Sequence, residues 1–330
     1  MRRNFFITAI FIFCLFSFQF SFSQTADWRE IEQFIHSQHN EINSEKDLDV
    51  LAVSIQQHFN DSLSRLKAVY AWVTENISYD VEGSEQPRYI NSIDSVLKYK
   101  TAVCSGYVNV FVLLCGKVGI TCKEVGGYGR SGMHPFEVNE KFKEDHSWAA
   151  AWLRGKWNLI DVTWGSGYTL EGSSDFIRNP NDWFFFTDPA RFMWDHYPRD
   201  PQWQLLTDTV SWTAFKKYPI VSLGARENLV QSFSPVESIL QTQVGKNIEF
   251  AFTTDKILNG ILLISKEGNF TEKGGLEKKG NTYYYTFKVP YNGFYDLRID
   301  LFYLGPEART LNNSLIDFVY FINAASANRN

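Results

Sequence analysis

The sequence predicts an α+β core that is followed by an all-β sandwich domain. The first part of the chain has apolar residues at helical spacing within residues 28–118 and then contains a two-stranded ribbon. The last part, from about residue 224, alternates like half-buried strands separated by Gly, Asn and Pro. The length of 330 residues is sufficient for two such domains.

Composition and charge exclude several classes of protein. Hydrophobic residues make up 44% and charged residues 21% of the chain, which is typical of a globular rather than a disordered protein. The 32 Lys and Arg are outnumbered by 37 Asp and Glu, and this net charge of -5 excludes a broadly basic surface. We therefore expect no nucleic acid partner. Four cysteines are too few for a disulfide-dense scaffold.

The first 23 residues have the features of a cleaved signal peptide. A basic start, Met1–Arg3, precedes the apolar run Phe5–Phe20, and the small residues Ser21 and Ser23 predict cleavage before Gln24. An uncleaved anchor is the alternative, because the apolar run approaches the ~17 residues that cross a bilayer. We expect a periplasmic or extracellular protein that contacts a membrane only if this leader is retained.

The distribution of residue types divides the remaining chain near residue 220. The last Trp is Trp212, the last His is His196 and the last Cys is Cys122. The residues beyond them therefore lack the side chains that most often act as nucleophile and base near neutral pH. We expect a core with N-terminal helices over 24–220 and a non-catalytic accessory domain over 221–330. The alternative is one large α+β domain.

The accessory domain contains strand-like segments with an alternation period of two residues. They are Asn247–Thr253, Gly260–Ser265, Thr282–Val289, Gly293–Tyr303 and Ser314–Ile322. Short strands at regular spacing, bounded by turn residues, favour a β-sandwich of the immunoglobulin-like type.

Cys104 stands at the predicted start of a helix. One apolar face of that helix contains Tyr107, Val108, Phe111, Leu114, Cys115 and Val118. We expect Thr101 to cap the helix. Free backbone N–H groups and the positive end of the helix dipole favour the thiolate of Cys104 at this position. The alternative is a buried and inert cysteine.

The other cysteines leave two alternatives open. Cys104 and Cys115 lie ~16 Å apart along a continuous helix, whereas a disulfide needs Cα atoms within ~7 Å. Cys115 and Cys122 can form a disulfide if Gly116 and Gly119 allow a turn, which leaves Cys104 as the free thiol. Otherwise both are unpaired core residues.

A predicted hairpin brings a histidine and an aspartate together. Its strands, Asp145–Leu153 and Lys156–Trp164, are joined by the two-residue turn Arg154-Gly155. In that register His146 and Asp161 are diagonal neighbours on one face, with Cα atoms ~7–8 Å apart. A three-residue turn would place them on opposite faces.

The same register places Leu153 opposite Lys156 and Trp148 on the face of His146. Trp148, and Trp164 near the end of the hairpin, are tentative candidates for lining a substrate groove, although tryptophans at such positions more often fill a core.

A thiol, an imidazole and a carboxylate suit attack on a carbonyl carbon. His146 would keep Cys104 deprotonated and later protonate the leaving amine, while Asp161 would orient the imidazole. Asp145 and Glu144 are rival partners for the imidazole, but Asp145 points to the other face. The backbone N–H of Cys104 is one candidate oxyanion donor, and Tyr99 is the tentative second.

Weaker motifs predict no cofactor and no metal. Gly127–Gly132 matches G-x-G-x-x-G, but the Met-His-Pro sequence after it hinders the helix that a dinucleotide site needs, so we expect a mobile loop beside the site. His134 and His146 lack a metal-binding spacing. For His196 we expect a structural role.

In the segments around Cys104, His146 and Asp161, the sequence resembles the transglutaminase-like superfamily, which has a papain-like cysteine-protease core. The matching segments are VCSGY around Cys104, DHSWAA around His146 and WNLIDVTWG around Asp161. Ala68–Asp80 resembles the helix that precedes the nucleophile in microbial members. Asp188–Leu206 is similar to a segment of the kyphoscoliosis-peptidase branch.

The resemblance implies a Cys104–His146–Asp161 triad and thioester chemistry on peptide or glutamine side-chain carbonyls of a protein or peptide substrate. Ala149 stands where related members often have Asn, and we expect it to affect packing only. No calcium-binding motif is visible in the sequence. We expect an exported peptidase or amidase. The alternatives are a protein-glutamine transglutaminase or deamidase, and a non-catalytic module that binds peptide or cell wall.

Overall fold

The structure is a computed structural model that describes residues 25–38, 41–84, 92–132, 134–137, 139–169, 173–227, 230–303 and 317–326. The predicted leader, residues 1–23, and its cleavage point before Gln24 lie outside these residues. None of the helices within those ranges is long and apolar enough to cross a membrane.

Helices dominate the first part of the chain. In chain order they are α1 (Trp28–His36), α2 (Glu45–His58), α3 (Ser62–Asn76), α4 (Val81–Ser84), α5 (Ile93–Tyr99) and α6 (Cys104–Lys117). Asp27 and Asp61 cap α1 and α3 by accepting backbone N–H bonds from the first turn. Ser44 and Asp47 form a capping box at the start of α2. These local bonds explain where α1, α2 and α3 begin.

Helix α6 is central to this part of the fold. Its predicted apolar face is buried, as expected, and consists of Tyr107, Val108, Phe111, Leu114, Cys115 and Val118. The prediction that Thr101 caps the helix is wrong, because Val103 is the N-cap and makes no side-chain bond there. Thr101 instead belongs to strand β2 (Thr101–Ala102), which pairs in parallel with β1 (Ser78–Tyr79).

A five-stranded antiparallel sheet packs against α6. The strands that follow α6 are β3 (Cys122–Gly129), β4 (His146–Leu153), β5 (Lys156–Ile160), β6 (Gly167–Thr169), β7 (Phe176–Arg178), β8 (Phe185–Thr187) and β9 (His196–Pro198). Five of them form the sheet in the order β8-β5-β4-β3-β9, and β6 pairs with β7. Ala149 and Ala151 of β4 are buried in the core that includes α6, and the expectation that Ala149 affects packing only stays a prediction.

The hairpin of β4 and β5 has the predicted register. Leu153 lies opposite Lys156 across the Arg154-Gly155 turn, which confirms the prediction. Both turn residues have positive φ, 55° and 76°, as a two-residue turn matching the twist of the strands requires.

Strand β5 is shorter than the sequence predicted. It ends at Ile160 rather than Trp164, because the Asp161 carboxylate accepts the backbone N–H of Thr163 and turns the chain. A 3-10 helix over Trp164–Ser166 follows. Asp161 therefore lies at the end of the ribbon, beside the first residue of β4.

The last part of the chain is a β-sandwich. Short helices α7 (Pro189–Phe192), α8 (Trp212–Phe215) and α9 (Leu223–Glu227) precede or flank it. Its strands are β10 (Ile220–Val221), β11 (Val230–Ser234), β12 (Ile239–Gln243), β13 (Asn247–Thr254), β14 (Leu258–Ser265), β15 (Phe270–Gly274), β16 (Glu277–Lys279), β17 (Thr282–Lys288), β18 (Gly293–Tyr303) and β19 (Phe318–Ala325). Residues 314–316 of the last predicted strand lie outside the described residues.

The sandwich consists of two sheets that share one core. One sheet has the order β10-β19-β18-β14-β15, with β12 also paired to β19, and the other has the order β11-β13-β17-β16. Phe250 meets Tyr320 across the sheets, and Phe252 meets Phe318, each with ring centroids 5.1 Å apart. The predicted combination of an α+β core and a sandwich is confirmed.

Separate groups of buried side chains stabilise the two parts. One surrounds α3 and α6, and another fills the sandwich. Trp194 and Ala225 pack with the sandwich core, although Trp194 precedes the predicted boundary near residue 220. The exact division at that residue stays a prediction.

Candidate active site

Three elements meet at one edge of the central sheet. Cys104 is the first residue of α6, His146 is the first residue of β4, and Asp161 follows the end of β5. His146 Nε2 and Asp161 Oδ2 are 2.7 Å apart, which is hydrogen-bond distance. The predicted contact between this imidazole and this carboxylate is therefore present.

The charges of this site stabilise one another. Burial alone would raise the pKa of Cys104, but the hydrogen bond and charge of His146, together with Ser147, shift the pKa below its usual value. Burial opposes a charged imidazole, yet Asp161 and Cys104 raise the pKa of His146 to about 10. A thiolate beside an imidazolium is the form that these interactions favour.

Asp161 is held rigidly as a carboxylate. It is completely buried. Its Oδ1 accepts the backbone N–H groups of Thr163 and Trp164 at 2.8 and 3.0 Å. Burial would raise its pKa, but His146 and His196 keep the pKa of Asp161 well below its usual range.

His196 has a larger part in this site than the sequence indicated. Its Nε2 lies 3.0 Å from Asp161 Oδ2, the same oxygen that faces His146. Its Nδ1 lies 2.5 Å from Asp195 Oδ1. Strand β9 brings His196 beside Gly129 of β3, and this pairing joins segments that are far apart in sequence. Periodicity within one segment gives no sign of such a contact.

The two candidate groove tryptophans occupy different environments. Trp164 is half-buried, and its ring stacks on His146 with centroids 5.1 Å apart and planes inclined by 29°. Trp148 is fully buried and packs against Phe192 and His196 on the face of the sheet opposite α6. The structure therefore contradicts a groove-lining role for Trp148, while Trp164 stays a candidate.

Two tyrosines, Tyr99 and Tyr79, are candidate oxyanion donors, and their surroundings differ. Tyr99 ends α5, is 59% exposed and lies beside the Lys98 ammonium. Tyr79 lies in β1, and burial followed by the charge of Cys104 raises the pKa of Tyr79 to about 12. Tyr79 could not be recognised from the sequence, because only the pairing of β1 with β2 brings it near the start of α6.

The glycine motif has a packing explanation. Gly127–Gly129 belongs to β3, so the expectation of a mobile loop is wrong for these residues. A Cβ atom on Gly129 would lie 2.9 Å from the imidazole of His146, and one on Gly127 would lie 2.5 Å from the ring of Trp148. These glycines allow β3 to approach the site closely.

The rival carboxylates are engaged elsewhere. Asp145 accepts the backbone N–H of Gly129 at 3.0 Å. Glu144 pairs with Arg199 at 2.8 Å. Neither bond involves the imidazole of His146.

Cys115 and Cys122 are free thiols in the structure. Cys115 is completely buried, and burial together with a hydrogen bond to Cys122 raises its pKa well above the usual value. Cys115 therefore lacks the thiolate character that the surroundings of Cys104 favour.

One group of described residues is close enough to hold a metal ion. Ligand atoms of His146, Asp161 and His196 lie within 4.8 Å of one another. Each imidazole directs its Nε2 toward Asp161 Oδ2, so the arrangement is that of a hydrogen-bonded chain. His134, considered above as a metal partner of His146, is exposed.

Comparisons with known proteins show which sequences and structures this chain is similar to. Residues 50–162 match the sequence model of the Transglutaminase-like superfamily, and this range includes Cys104, His146 and Asp161. The kyphoscoliosis peptidases of Mus musculus and Homo sapiens are each 30% identical over 210 residues, which is 63% of this chain and 32% of theirs. The chain spans about a third of the length of these curated relatives. The solved periplasmic domain of TgpA from Pseudomonas aeruginosa is 17% identical over 42% of this chain and 48% of that chain, with a TM-score of 0.28.

Proposed function

Since this chain belongs to the transglutaminase-like superfamily, on its kyphoscoliosis-peptidase branch, we propose that it is a thiol-dependent acyl-transfer enzyme. Its substrate would be an amide of a protein or peptide, and its nucleophile Cys104. The observation that most strongly supports this proposal is that His146 interacts with both Cys104 and Asp161. A nucleophile, a base and a group that orients the base form the minimal arrangement for this chemistry.

In the first step the Cys104 thiolate attacks the carbonyl carbon of the amide and a C–S bond forms. The resulting oxyanion accepts the backbone N–H of Cys104, and we propose Tyr79 as the second donor in place of Tyr99. When the C–N bond breaks, the imidazolium of His146 gives its proton to the leaving amine. A thioester remains on Cys104.

In the second step an acceptor attacks the thioester. Neutral His146 takes a proton from water, the C–S bond breaks and a carboxylic acid leaves, which restores the thiolate and the imidazolium. A primary amine in place of water forms a new amide. We favour hydrolysis, because the relatives with 30% identity are named peptidases.

The acceptor can be identified by mass spectrometry of a peptide library incubated with the protein, with and without a primary amine. Shortened peptides support a peptidase, glutamine converted to glutamate supports a deamidase, and incorporated amine supports a transglutaminase. Cys104→Ala is the control variant, and Cys122→Ser is its match at another partly exposed thiol. Product that persists in Cys104→Ala would contradict the proposal.

The alternative function is a non-catalytic module that binds peptide or cell wall. It predicts saturable binding of a peptide without any covalent product, and equal binding by wild type and Cys104→Ala. A thioester trapped on Cys104 with a peptide substrate would exclude this alternative.

Export is a separate part of the proposal. We propose that the leader is removed before Gln24, since its basic, apolar and small-residue regions have the order of a signal peptide. N-terminal sequencing of the protein from the periplasm or medium tests this, and an intact Met1 on the exported protein would contradict it.

A further inference from the structure

A chain of buried polar groups continues beyond Asp161 into the C-terminal part of the molecule. His196 bonds Asp161 through Nε2 and Asp195 through Nδ1. The other oxygen of Asp195 forms an ion pair with the guanidinium of Arg226. Each of these side chains is at least nine-tenths buried. His146 and Arg226 therefore terminate one continuous chain of charged and hydrogen-bonded groups.

Arg226 is anchored by the sandwich. It lies in α9, which contacts strands β11 and β18, and its neighbour Ala225 packs in the sandwich core. Its guanidinium lies over the rings of Trp183 and Phe184, 4.9 and 5.1 Å from their centroids. The side chain thus extends from the accessory domain into the layer of the core that covers the active site.

The positive charge of Arg226 acts directly on the carboxylate of Asp195. A buried carboxylate without a partner is costly and tends to take up a proton, whereas an adjacent guanidinium keeps it ionised or strongly hydrogen-bonded. Burial lowers the pKa of Arg226 only to about 9, so the group is a cation at neutral pH. Arg226 therefore supplies the positive charge that Asp195 needs in this buried position.

Asp195 in turn determines which way His196 presents its proton. Asp161 is ionised and accepts a bond from His196 Nε2, so that nitrogen must be protonated. The contact of Nδ1 with Asp195 Oδ1 contains one proton, whichever of the two groups holds it. As long as Asp195 is in place, the Nε2–H of His196 remains directed at Asp161, and Asp161 remains directed at His146.

We propose that His196, Asp195 and Arg226 are positioning residues that connect the reaction site to the sandwich, and that the sandwich is required for the reactivity of Cys104. The effect of these residues on turnover rests on the proposed function. The reactivity of Cys104 toward a small alkylating reagent tests it without any substrate.

The experiment measures the rate at which iodoacetamide alkylates Cys104 as a function of pH, with each cysteine quantified separately by peptide mass spectrometry. It compares wild type with Arg226→Met, Arg226→Lys and His196→Gln. Arg298→Met is the matched control, because Arg298 forms an ion pair with Asp296 at 2.7 Å within the sandwich. Circular dichroism establishes that each variant is folded.

We expect Arg226→Met to slow alkylation of Cys104 by about tenfold near pH ~6, because an ill-positioned Asp161 stabilises the thiolate–imidazolium pair less. Arg226→Lys should recover part of this loss, and Arg298→Met should behave like wild type. His196→Gln retains an N–H donor toward Asp161 but loses the bond to Asp195, so its rate should be intermediate. Where a substrate is known, kcat should fall with the alkylation rate while KM changes little.

Unchanged alkylation in folded Arg226→Met and His196→Gln would overturn the inference. If Arg226→Met does not fold, His196→Gln alone decides between the two results. Fast alkylation of wild-type Cys104 without turnover of any peptide would contradict the proposed function, and the comparison of variants would still test the positioning role.

Discussion

The two ends of helix α6 show how surroundings rather than residue type make a nucleophile. Cys104 at the first residue and Cys115 near the last turn belong to the same helix. His146 and Ser147 outweigh burial at Cys104 and shift its pKa downward, whereas burial and Cys122 raise the pKa of Cys115. A cysteine therefore becomes reactive when a cation and N–H donors compensate for its desolvation.

The largest effect should come from removing the Cys104 thiol, with removal of the Cys115 thiol as the control. Cys104→Ala is expected to abolish turnover, because no other group described at the site can form the thioester. Cys115→Ala should retain turnover and lower the free energy of unfolding by about 1 kcal/mol through a small cavity. Steady-state kinetics and urea unfolding check these outcomes. Lost turnover in well-folded Cys115→Ala would show that the reaction also needs the Cys115 thiol.

Replacing the carboxylate should have the next largest effect. Asp161→Asn is expected to lower kcat by a factor on the order of 10⁴. The neutral amide stabilises the imidazolium of His146, and its orientation, less well than the carboxylate does. Asp145→Asn is the control at a carboxylate that bonds Gly129 instead. Equal kcat values for the two variants would show that Asp161 does not orient His146.

A smaller effect should follow from loss of the second oxyanion donor. Tyr79→Phe is expected to lower kcat about 10²-fold with little change in KM, because the hydroxyl would act only on the developing oxyanion. Tyr99→Phe serves as its control at an exposed tyrosine. If Tyr99→Phe has the larger effect, the original prediction from sequence is the correct one.

The smallest expected effect concerns packing around the imidazole. Gly129→Ala places a Cβ atom 2.9 Å from the His146 ring, so the ring must shift and kcat should fall about tenfold. Gly132→Ala has open space around its new methyl group and should leave kcat unchanged. Two variants with equal activity would mean that the ring tolerates displacement.

Local features of the sequence were sufficient to predict much of this arrangement. The Arg154-Gly155 turn and the two-residue period of the strands determine the register that brings His146 to Asp161. The apolar face of α6 likewise follows from helical spacing, and Cys104 begins the helix as predicted. Errors arose where a neighbouring element decided the outcome, as at Thr101, which pairs with β1 instead of capping α6.

The remaining parts of the site depend on contacts between distant segments. Trp148 was assigned to the correct face of its strand, but the burial of that face comes from Phe192 and His196, which follow much later in the chain. Tyr79 and Arg226 approach the site through strand pairing and through the sandwich, respectively. Periodicity in one segment contains no information on which distant segment will cover it.

The pH dependence of alkylation of Cys104 in the folded wild-type protein shows whether His146 activates this thiol. We predict that the rate stays high at pH values below the ordinary thiol pKa of ~8.5, because the thiolate is lost only as the pH falls below the lowered pKa of Cys104. Turnover should persist at higher pH until His146 loses its proton at a pH of about 10. Cys115 in the same sample should stay unmodified. If the rate for Cys104 rises only through the ordinary thiol pKa, the account of an activated nucleophile is contradicted.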